Sequence, residues 1–429
     1  MRRVLLGGAL ALVLALGACA APAEVPSPTP SAPAPSAAPG ALRVHTDWSA
    51  LGEREEPLPP VGTRWYGDYT GDLIPRDDYG TLIPYAGLRL MDDWPAAVGC
   101  MYGLMTRDGV VVTDPVYSNV YRPGYLGADG GWYTQPLLVL SRGDPGLGEE
   151  TWNPARYAVA AADGSWCTDF AYRCVQAGQE GLLLFARDAL SVMAPSGEIT
   201  GTYSQKELGL SQAEYDGLLS DLAFGEGVGG SWYGGCLSLG WADGQAEQVK
   251  IFRFSTRETE VMSYGAWSAL SGAAYWQVDS RAGETVLTRG DERHTIPYGA
   301  SGGWTEVHGD LVLFSRGGAV YTLEGEEIIA PGENRSVSWV RDRLLGDAGP
   351  GLLAVTESGE TGSVTRYRRP DGEPLPLPEE WGDSMGERWY RQVGLVGGLI
   401  EQLDWNTAAY YDPDTQTCVL RTYLNYEGD

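Results

Sequence analysis

Chemistry in a protein needs nucleophiles, proton carriers or metal ligands at workable spacing, and this chain of 429 residues supplies few of them. Its histidines are His45, His294 and His308, so a nucleophile–histidine pair has few bases to draw on. Gly299-Ala300-Ser301-Gly302-Gly303 matches the Gly-x-Ser-x-Gly elbow, but that elbow needs a strand before it and a helix after it, and Gly-Gly-Trp304 starts no helix. The segment reads as a loop. Gly225-Glu226-Gly227-Val228-Gly229-Gly230 fits Gly-x-Gly-x-x-Gly, yet it trails a predicted helix, which removes the reason for a dinucleotide to sit there. There is no P-loop, no His-Glu-x-x-His and no Cys/His cluster, so neither cofactor nor structural metal is expected. Asp412-x-Asp414 and Gly127-Ala128-Asp129-Gly130 lack the run of oxygen ligands of a calcium loop and read as turns. Asp77-Asp78, Asp92-Asp93 and Glu379-Glu380 could supply a glycosidase with its two acids, but adjacency in sequence says nothing about separation across a pocket. No catalytic residue is assigned.

Aromatic residues give the positive signal. Trp132-Tyr133, Trp232-Tyr233, Trp276 and Trp304 sit beside glycines or polar residues, as do Trp267, Tyr275 and Trp389-Tyr390. Flat rings in glycine-rich loops stack on sugar faces or clamp peptides, and tryptophan is favoured at binding hot spots. The competing use is packing, and it carries more weight because tryptophan is highly buried on average. Trp132, Tyr133, Trp232, Tyr233, Trp276 and Trp304 are the candidate ligand-binding residues.

The elements that would carry these rings are strands. Short β-branched or aromatic runs such as Gly109-Val-Val-Val-Thr113, Val249-Lys-Ile-Phe-Arg-Phe254 and Asp310-Leu-Val-Leu-Phe314 alternate with Gly, Asp and Ser turns. Tyr102 to Val120 aligns without gaps on Tyr157 to Val175, with seven of nineteen positions identical. Each copy centres on an Asp-Gly turn, Asp108-Gly109 or Asp163-Gly164, between two strands. Similar turns fall at Ser196-Gly197, Asp243-Gly244, Gly290-Asp291, Glu324-Gly325, Asp371-Gly372 and Asp412-Pro-Asp414. Their steps average about 44 residues, the length of a four-stranded propeller blade. The expected fold is therefore all-β, a repeat-built β-propeller-like domain of seven or eight blades over residues 42–429. One short helical insertion near 204–223 is expected, because Ser204-x-x-Glu207 and Ser211-x-x-Glu214 have capping-box spacing and Leu210, Tyr215, Leu218, Leu219 and Leu222 recur at helical intervals. After Cys19 the cysteines are Cys100, Cys167, Cys174, Cys236 and Cys418; Cys167 and Cys174 could meet across adjoining strands, and an odd number leaves at least one thiol over.

Tyr102-Gly-Leu-Met-Thr-Arg-Asp-Gly109, continuing through Asp114-Pro-Val-Tyr117, resembles the WG repeat of bacterial proteins, with Tyr102 in place of tryptophan. The resemblance implies a β-rich scaffold or binding surface and carries no catalytic residues to transfer.

The amino terminus gives an address. Arg2-Arg3 and the small or apolar run Val4–Ala18 form an export signal over residues 1–18, too short for the ~20 residues of a membrane-spanning helix. Leu16-Gly17-Ala18-Cys19 resembles a bacterial lipobox, which implies lipidation of Cys19. Residues 19–41, rich in Pro, Ala and Ser, then form an unfolded tether, which proline keeps extended at ~3.1 Å per residue. The formal net charge is −27, and such acidity repels nucleic acid and anionic lipid surfaces. The sequence thus describes a lipid-anchored protein on the extracytoplasmic face of the cell membrane, acting as a non-enzymatic binding or scaffold module for a protein or glycan. A carbohydrate-active enzyme with paired carboxylates in a propeller cleft and an envelope sensor or assembly factor are the alternatives.

Overall fold

The computed structural model describes residues 80–89, 100–127, 129–142, 156–224, 230, 232–242, 247–272, 275–299, 302–360, 362–375, 377, 392–403 and 407–424. The signal, Cys19, the tether, His45, the three acid pairs, Gly225–Gly229, Asp243-Gly244, Ser301 and Trp389-Tyr390 lie outside the described residues.

The described chain is all-β, a succession of small antiparallel sheets with two short helices. β1 (Ile83–Arg89), β2 (Cys100–Met105) and β3 (Val111–Tyr117) form the first sheet. β4 (Asn119–Tyr121) opens the second, a hairpin of β5 (Gly124–Leu126) and β6 (Trp132–Thr134) intervenes, and β7 (Leu137–Arg142) and β8 (Arg156–Ala161) complete it. The third comprises β9 (Cys174–Gly178), β10 (Gly181–Phe185), β11 (Ala189–Met193) and β12 (Ile199–Ser204), followed by α1 (Gln212–Phe224). The fourth is β13 (Trp232–Tyr233), β14 (Cys236–Trp241), β15 (Gln248–Arg253) and β16 (Glu258–Ser263), followed by α2 (Tyr264–Gly272). The fifth has β17 (Gln277–Arg281), β18 (Glu284–Arg289) and β19 (Glu292–Ile296). The sixth holds β20 (Thr305–His308), β21 (Leu311–Phe314), β22 (Ala319–Thr322) and β23 (Glu327–Ile329). β24 (Arg335–Val340), β25 (Leu352–Gly359) and β26 (Gly362–Arg368) make the seventh. β27 (Gln392–Val396), β28 (Leu399–Leu403), β29 (Thr407–Asp412) and β30 (Thr417–Tyr423) make the eighth. Within each sheet, strands adjacent in sequence are hydrogen-bonded, the pattern that short turns enforce.

Seven of the eight turn positions seen in the sequence lie among the described residues, and they fall one to each of seven sheets, the fourth excepted. Gly109 shows why glycine is needed. It holds φ at +81°, and a Cβ there would lie 2.2 Å from the Val419 carbonyl oxygen of β30. Asp108 completes the turn by accepting from the Thr106 hydroxyl at 2.5 Å. The two aligned segments nevertheless occupy different strands. Tyr102–Val120 contributes the second and third strands of its sheet, whereas Tyr157–Val175 contributes the third strand, β8, and an irregular return that pairs Cys167 with Ala160 and Tyr172 with Tyr157. The Gly103 position also has a local cause in the first copy only: a Cβ there would meet the Tyr85 ring at 2.4 Å, and Tyr85 fills that space to donate to Thr113 O at 2.8 Å.

Buried aliphatic and aromatic side chains join neighbouring sheets face to face. Leu137 and Val139 pack with Leu182 and Leu184 between the second and third sheets, and Leu183 and Phe185 with Leu237 and Phe252 between the third and fourth. Leu287 and Ile296 meet Val312 and Phe314, Leu313 and Val320 meet Leu353 and Val355, and Leu352 meets Ile400 in the later junctions. The eighth sheet then returns to the first, where Leu399, Tyr410 and Leu420 share a core with Leu82, Tyr85 and Leu104. Between the fourth and fifth sheets the described residues form no such cluster; α2 covers the fourth sheet there, with Trp267 buried on Cys236, Val249 and Ile251.

The capping boxes form as the spacing predicts. Glu214 Oε2 accepts from Ser211 N at 2.7 Å, and Glu207 Oε2 accepts from Ser204 N at 2.8 Å, but only the former starts a helix. The expectation of a single helical insertion is corrected by α2, whose Gly, Ala and Ser residues carry no apolar stripe for a periodicity argument to detect. Pairing of Cys167 with Cys174 is also corrected. Cys167, Cys174, Cys236 and Cys418 are all free thiols, because the return after β8 turns Cys167 onto Ala160 while Cys174 enters β9 opposite Phe185.

Candidate functional site

The hairpin β5–β6 projects the most exposed of the candidate pairs. Its turn closes by Gly130 N donating to Gly127 O at 2.9 Å and Gly127 N to Gly131 O at 2.8 Å. Asp129 fastens it further: one carboxylate oxygen accepts from Gly131 N at 3.0 Å and the other from the Tyr133 hydroxyl at 2.5 Å. Asp129 therefore serves its own turn, as the sequence reading of 127–130 required. The bond from Tyr133, then that from Gly131, holds the Asp129 carboxyl below its usual range, and the Arg289 guanidinium adds in the same direction. The same bond to Asp129 pushes the Tyr133 phenol up. Tyr125 stacks on Tyr133 with ring centres 5.6 Å apart, so the Tyr133 ring is fixed on that side. Trp132 is 40 % exposed and Tyr133 43 %.

Arg289 belongs to the fifth sheet, so its charge links the hairpin of the second sheet to a second cluster. Arg289 lies over the Trp276 ring, 4.2 Å from its centre, and donates through Nη2 to Glu292 at 2.8 Å. Glu292 also bonds His294 Nε2 at 2.9 Å, and His294 sits edge-on to Trp276 at 5.4 Å. Cross-strand register explains the grouping. Arg289 pairs with Glu292 across the Gly290-Asp291 turn, and His294 pairs with Leu287, two residues along the same face.

Tyr133 is thus held beside Asp129, and Trp276 beside Arg289 and His294. Trp232 and Tyr233 serve packing. The Trp232 ring lies on Gly178, where a Cβ would stand 2.7 Å from it, and meets Phe254 at 5.9 Å between the third and fourth sheets. Tyr233 packs against the cluster containing Trp267. Trp304 is 48 % exposed at the start of the sixth sheet, its backbone N donating to Ser315 Oγ at 2.9 Å. Sequence reasoning missed Tyr125, Asp129, Arg289, Glu292 and His294 as site residues. The apolar-then-aromatic runs on either side of the 127–131 turn, and the register implied by Gly290-Asp291, were the available signals.

A second polar cluster lies at the end of β20. His308 Nε2 meets Glu306 at 3.0 Å, its Nδ1 faces Asp347 at 3.5 Å, and its ring stacks on Trp339 at 4.9 Å. Burial opposes the charge on Asp347, but His308 and Arg341, the latter at 2.7 Å, hold its carboxyl below the usual range. Both imidazole nitrogens face carboxylates, which leaves neither for activating a substrate hydroxyl. Among the described residues no three His, Cys, Asp or Glu side chains are placed to hold a metal ion, and no helix is long and apolar enough to cross a membrane.

No family model matches the chain, and no curated protein matches it. Among solved structures, Kluyveromyces lactis Hsv2p is similar over 72 % of this chain and 98 % of its own, at 9 % identity and a TM-score of 0.28. A prolyl endopeptidase, of whose length the chain spans about half (49 %), matches 71 % of this chain at 10 % identity and a TM-score of 0.31. Apo AztD from Citrobacter koseri matches over 80 % of this chain and 95 % of its own, at 10 % identity and a TM-score of 0.21.

Proposed function

We propose that this protein is a lipid-anchored extracytoplasmic binding module, its sheets forming the eight blades of a propeller-like ring and its ligand a glycan. Support for the ring comes from the meander within each sheet, the turn tokens that recur from sheet to sheet, and the shared core of the first and eighth sheets. Support for the anchor is the Leu-Gly-Ala-Cys19 sequence behind a short apolar run, followed by a proline-rich tether. The observation that carries the binding reading is the Trp132–Tyr133 pair, exposed on a glycine hairpin, with the Tyr133 ring held by Asp129 and Tyr125. An exposed aromatic pair whose tyrosine is held rigid beside a carboxylate offers a sugar ring both stacking and hydroxyl recognition, with little ordering cost on binding. A protein ligand at this surface is the second outcome that binding assays would reveal.

The test is a glycan array probed with the full chain in detergent, followed by titration of the best glycan monitored by tryptophan fluorescence. Trp132→Ala should weaken binding roughly thirtyfold, the ~2 kcal/mol of a hot-spot aromatic, while chromatography of the glycan finds no cleavage products. Retained affinity in Trp132→Ala and Tyr133→Ala would remove the reading, and released oligosaccharide would replace it with hydrolysis. Acyl labelling lost in Cys19→Ala tests the anchor.

A further inference from the structure

A groove of about 200 Å³ opens between the sixth and seventh sheets, away from the aromatic hairpin. Its aliphatic side is Ile328, Ile329 and Val355; its polar side is Arg335, Arg366 and Arg368 around Glu357. Register produces this wall. Arg335 pairs with Glu357 across β24–β25, Val355 pairs with Arg366 across β25–β26, and Arg368 follows two residues on, so all project from the face turned toward the sixth sheet.

The three guanidinium groups are not equivalent. Arg335 is structural: it donates twice to Glu357 Oε1, at 3.1 and 2.5 Å, and through Nη1 to Ala330 O at 2.7 Å. Arg366 gives only Nη1 to Glu357 Oε2, at 3.1 Å, and Arg368 only Nη1 to Gly372 O, at 2.7 Å. Among the described residues the Nε and Nη2 groups of Arg366 and Arg368 donate to no protein acceptor. Glu327, which accepts from the Tyr321 hydroxyl at 3.1 Å, and Asp371, which accepts from Glu373 N at 3.0 Å within its own turn, form no ion pair with Arg366 or Arg368. Three arginines against one glutamate form a positive pocket in a chain whose net charge is −27, and a forked guanidinium matches a carboxylate in shape as well as sign.

We propose that this groove binds an acidic peptide end, a free carboxyl terminus preceded by aliphatic residues. Arg366 and Arg368 would hold the carboxylate, and Ile328, Ile329 and Val355 would receive the side chain before it. The lining contains no aromatic ring, which disfavours a sugar, and its size is below the ~300–1,000 Å³ of pockets for drug-sized ligands, suiting one or two residues. The pocket is preformed: the Gly372 turn abuts Ile328, where a Cβ on Gly372 would come within 2.9 Å, and Arg335 is gripped by Gly318 and Gly332.

The probe is a fluorescein-labelled Gly-Leu-Ile-Glu peptide with a free carboxyl terminus, titrated by fluorescence polarisation against the full chain in detergent. Saturable binding is expected, weakened at least tenfold by amidating the terminus together with Glu-to-Gln exchange, by Arg366→Gln/Arg368→Gln, and by Ala330→Tyr, which fills the groove from an exposed position. Trp132→Ala should leave peptide binding unchanged, which separates this site from the glycan surface. Equal binding of the neutral peptide, or full affinity in either groove variant, would overturn the proposal. So would binding of tri-galacturonate with no binding of the peptide, which would assign the groove to an acidic glycan.

Discussion

Arg343 and Glu401 are 58 residues apart in sequence and meet where the seventh sheet's β24–β25 connection reaches the first and eighth sheets. Arg343 donates to Glu401 through Nη2 at 2.6 Å and Nε at 3.2 Å, and its guanidinium lies 4.3 Å from the Tyr102 ring centre. Glu401 also accepts from the Tyr410 hydroxyl at 2.8 Å, and that hydroxyl accepts from Ala86 N at 2.6 Å. Burial opposes the charge on Arg343, but Glu401, Tyr102 and Tyr410 overcome it and raise its pKa; burial and Glu401 together push the Tyr410 phenol well up. The Glu401 side chain is 4 % exposed and that of Arg343 23 %, so the two losses are unequal. Arg343→Met strands a buried carboxylate and should cost ~3–5 kcal/mol, whereas Glu401→Gln leaves a cation that can turn toward water and should cost less. Unfolding entropy for the ~350 residues from Gly80 to Leu424 is roughly 0.7 kcal/mol/K, so Arg343→Met should lower Tm by roughly 4–7 °C. Denaturant titration of both singles and the Arg343→Met/Glu401→Gln double variant gives the coupling, with the double expected to recover ~0.5–3 kcal/mol relative to the sum. If Arg343→Met costs under ~1 kcal/mol, or the losses simply add, the pair does not fasten the first sheet to the last.

Gly109→Ala should destabilise by ~1–3 kcal/mol from its positive φ, with a further cost from collision with Val419, while Gly290→Ala, at φ +58° with open space around it, should show only the conformational cost; urea midpoints of the two compare them. Lys250, bonded to Glu214 at 2.7 Å, and the Ser211 cap depress the Glu214 carboxyl to about 2, so this contribution is intact above its unfolded value of 4.5 and lost as pH falls toward 2. Because Glu214 is half exposed, the effect should stay below ~1 kcal/mol, and Glu214→Gln should flatten that acid limb in circular dichroism melts. Burial pushes the Cys174 thiol up to about 11, so iodoacetamide at pH 8 should alkylate it at least tenfold more slowly in the native than in the unfolded protein, as peptide mass spectrometry would show. The same peptides, digested without reductant, should contain no Cys167–Cys174 linkage.

What the sequence makes legible here is local. A hairpin turn is decided by two residues, so Asp-Gly and its relatives mark turns in seven of the sheets among the described residues, and the Ser211–Glu214 box marks α1 because both partners lie within four residues. The two aligned segments show the limit of that signal: they specify a hairpin without specifying which strands of a sheet it supplies, since neighbours on either side decide that. α2 is invisible for a related reason. Its start is capped only by Ser263 Oγ accepting from Ala266 N at 3.2 Å, and its single large buried side chain, Trp267, makes no periodic stripe. Arg343 with Glu401, and Arg335 with Glu357 and Arg366, are ordinary charged residues until sheet register and sheet stacking bring them together.

The aromatic residues press the point further, because the same dipeptide has two fates. Trp132-Tyr133 and Trp232-Tyr233 each follow glycine-rich segments and each begin or form a short strand. Trp232 finds a bed at Gly178 and a wall at Phe254, and its burial helps to join two sheets. Trp132 stands on a hairpin that leaves its sheet between β4 and β7, and its side chain stays 40 % exposed. Burying a large aromatic side chain contributes ~1.5–3 kcal/mol, a gain that Trp132 takes only in part and that Trp232 already takes in its own core. A ligand that covers Trp132 can therefore recover free energy that folding left unused, whereas one directed at Trp232 would first have to separate packed sheets. That difference, set by an inserted hairpin and one glycine 54 residues from Trp232, is why the proposed glycan surface is built on the first pair and not on the second.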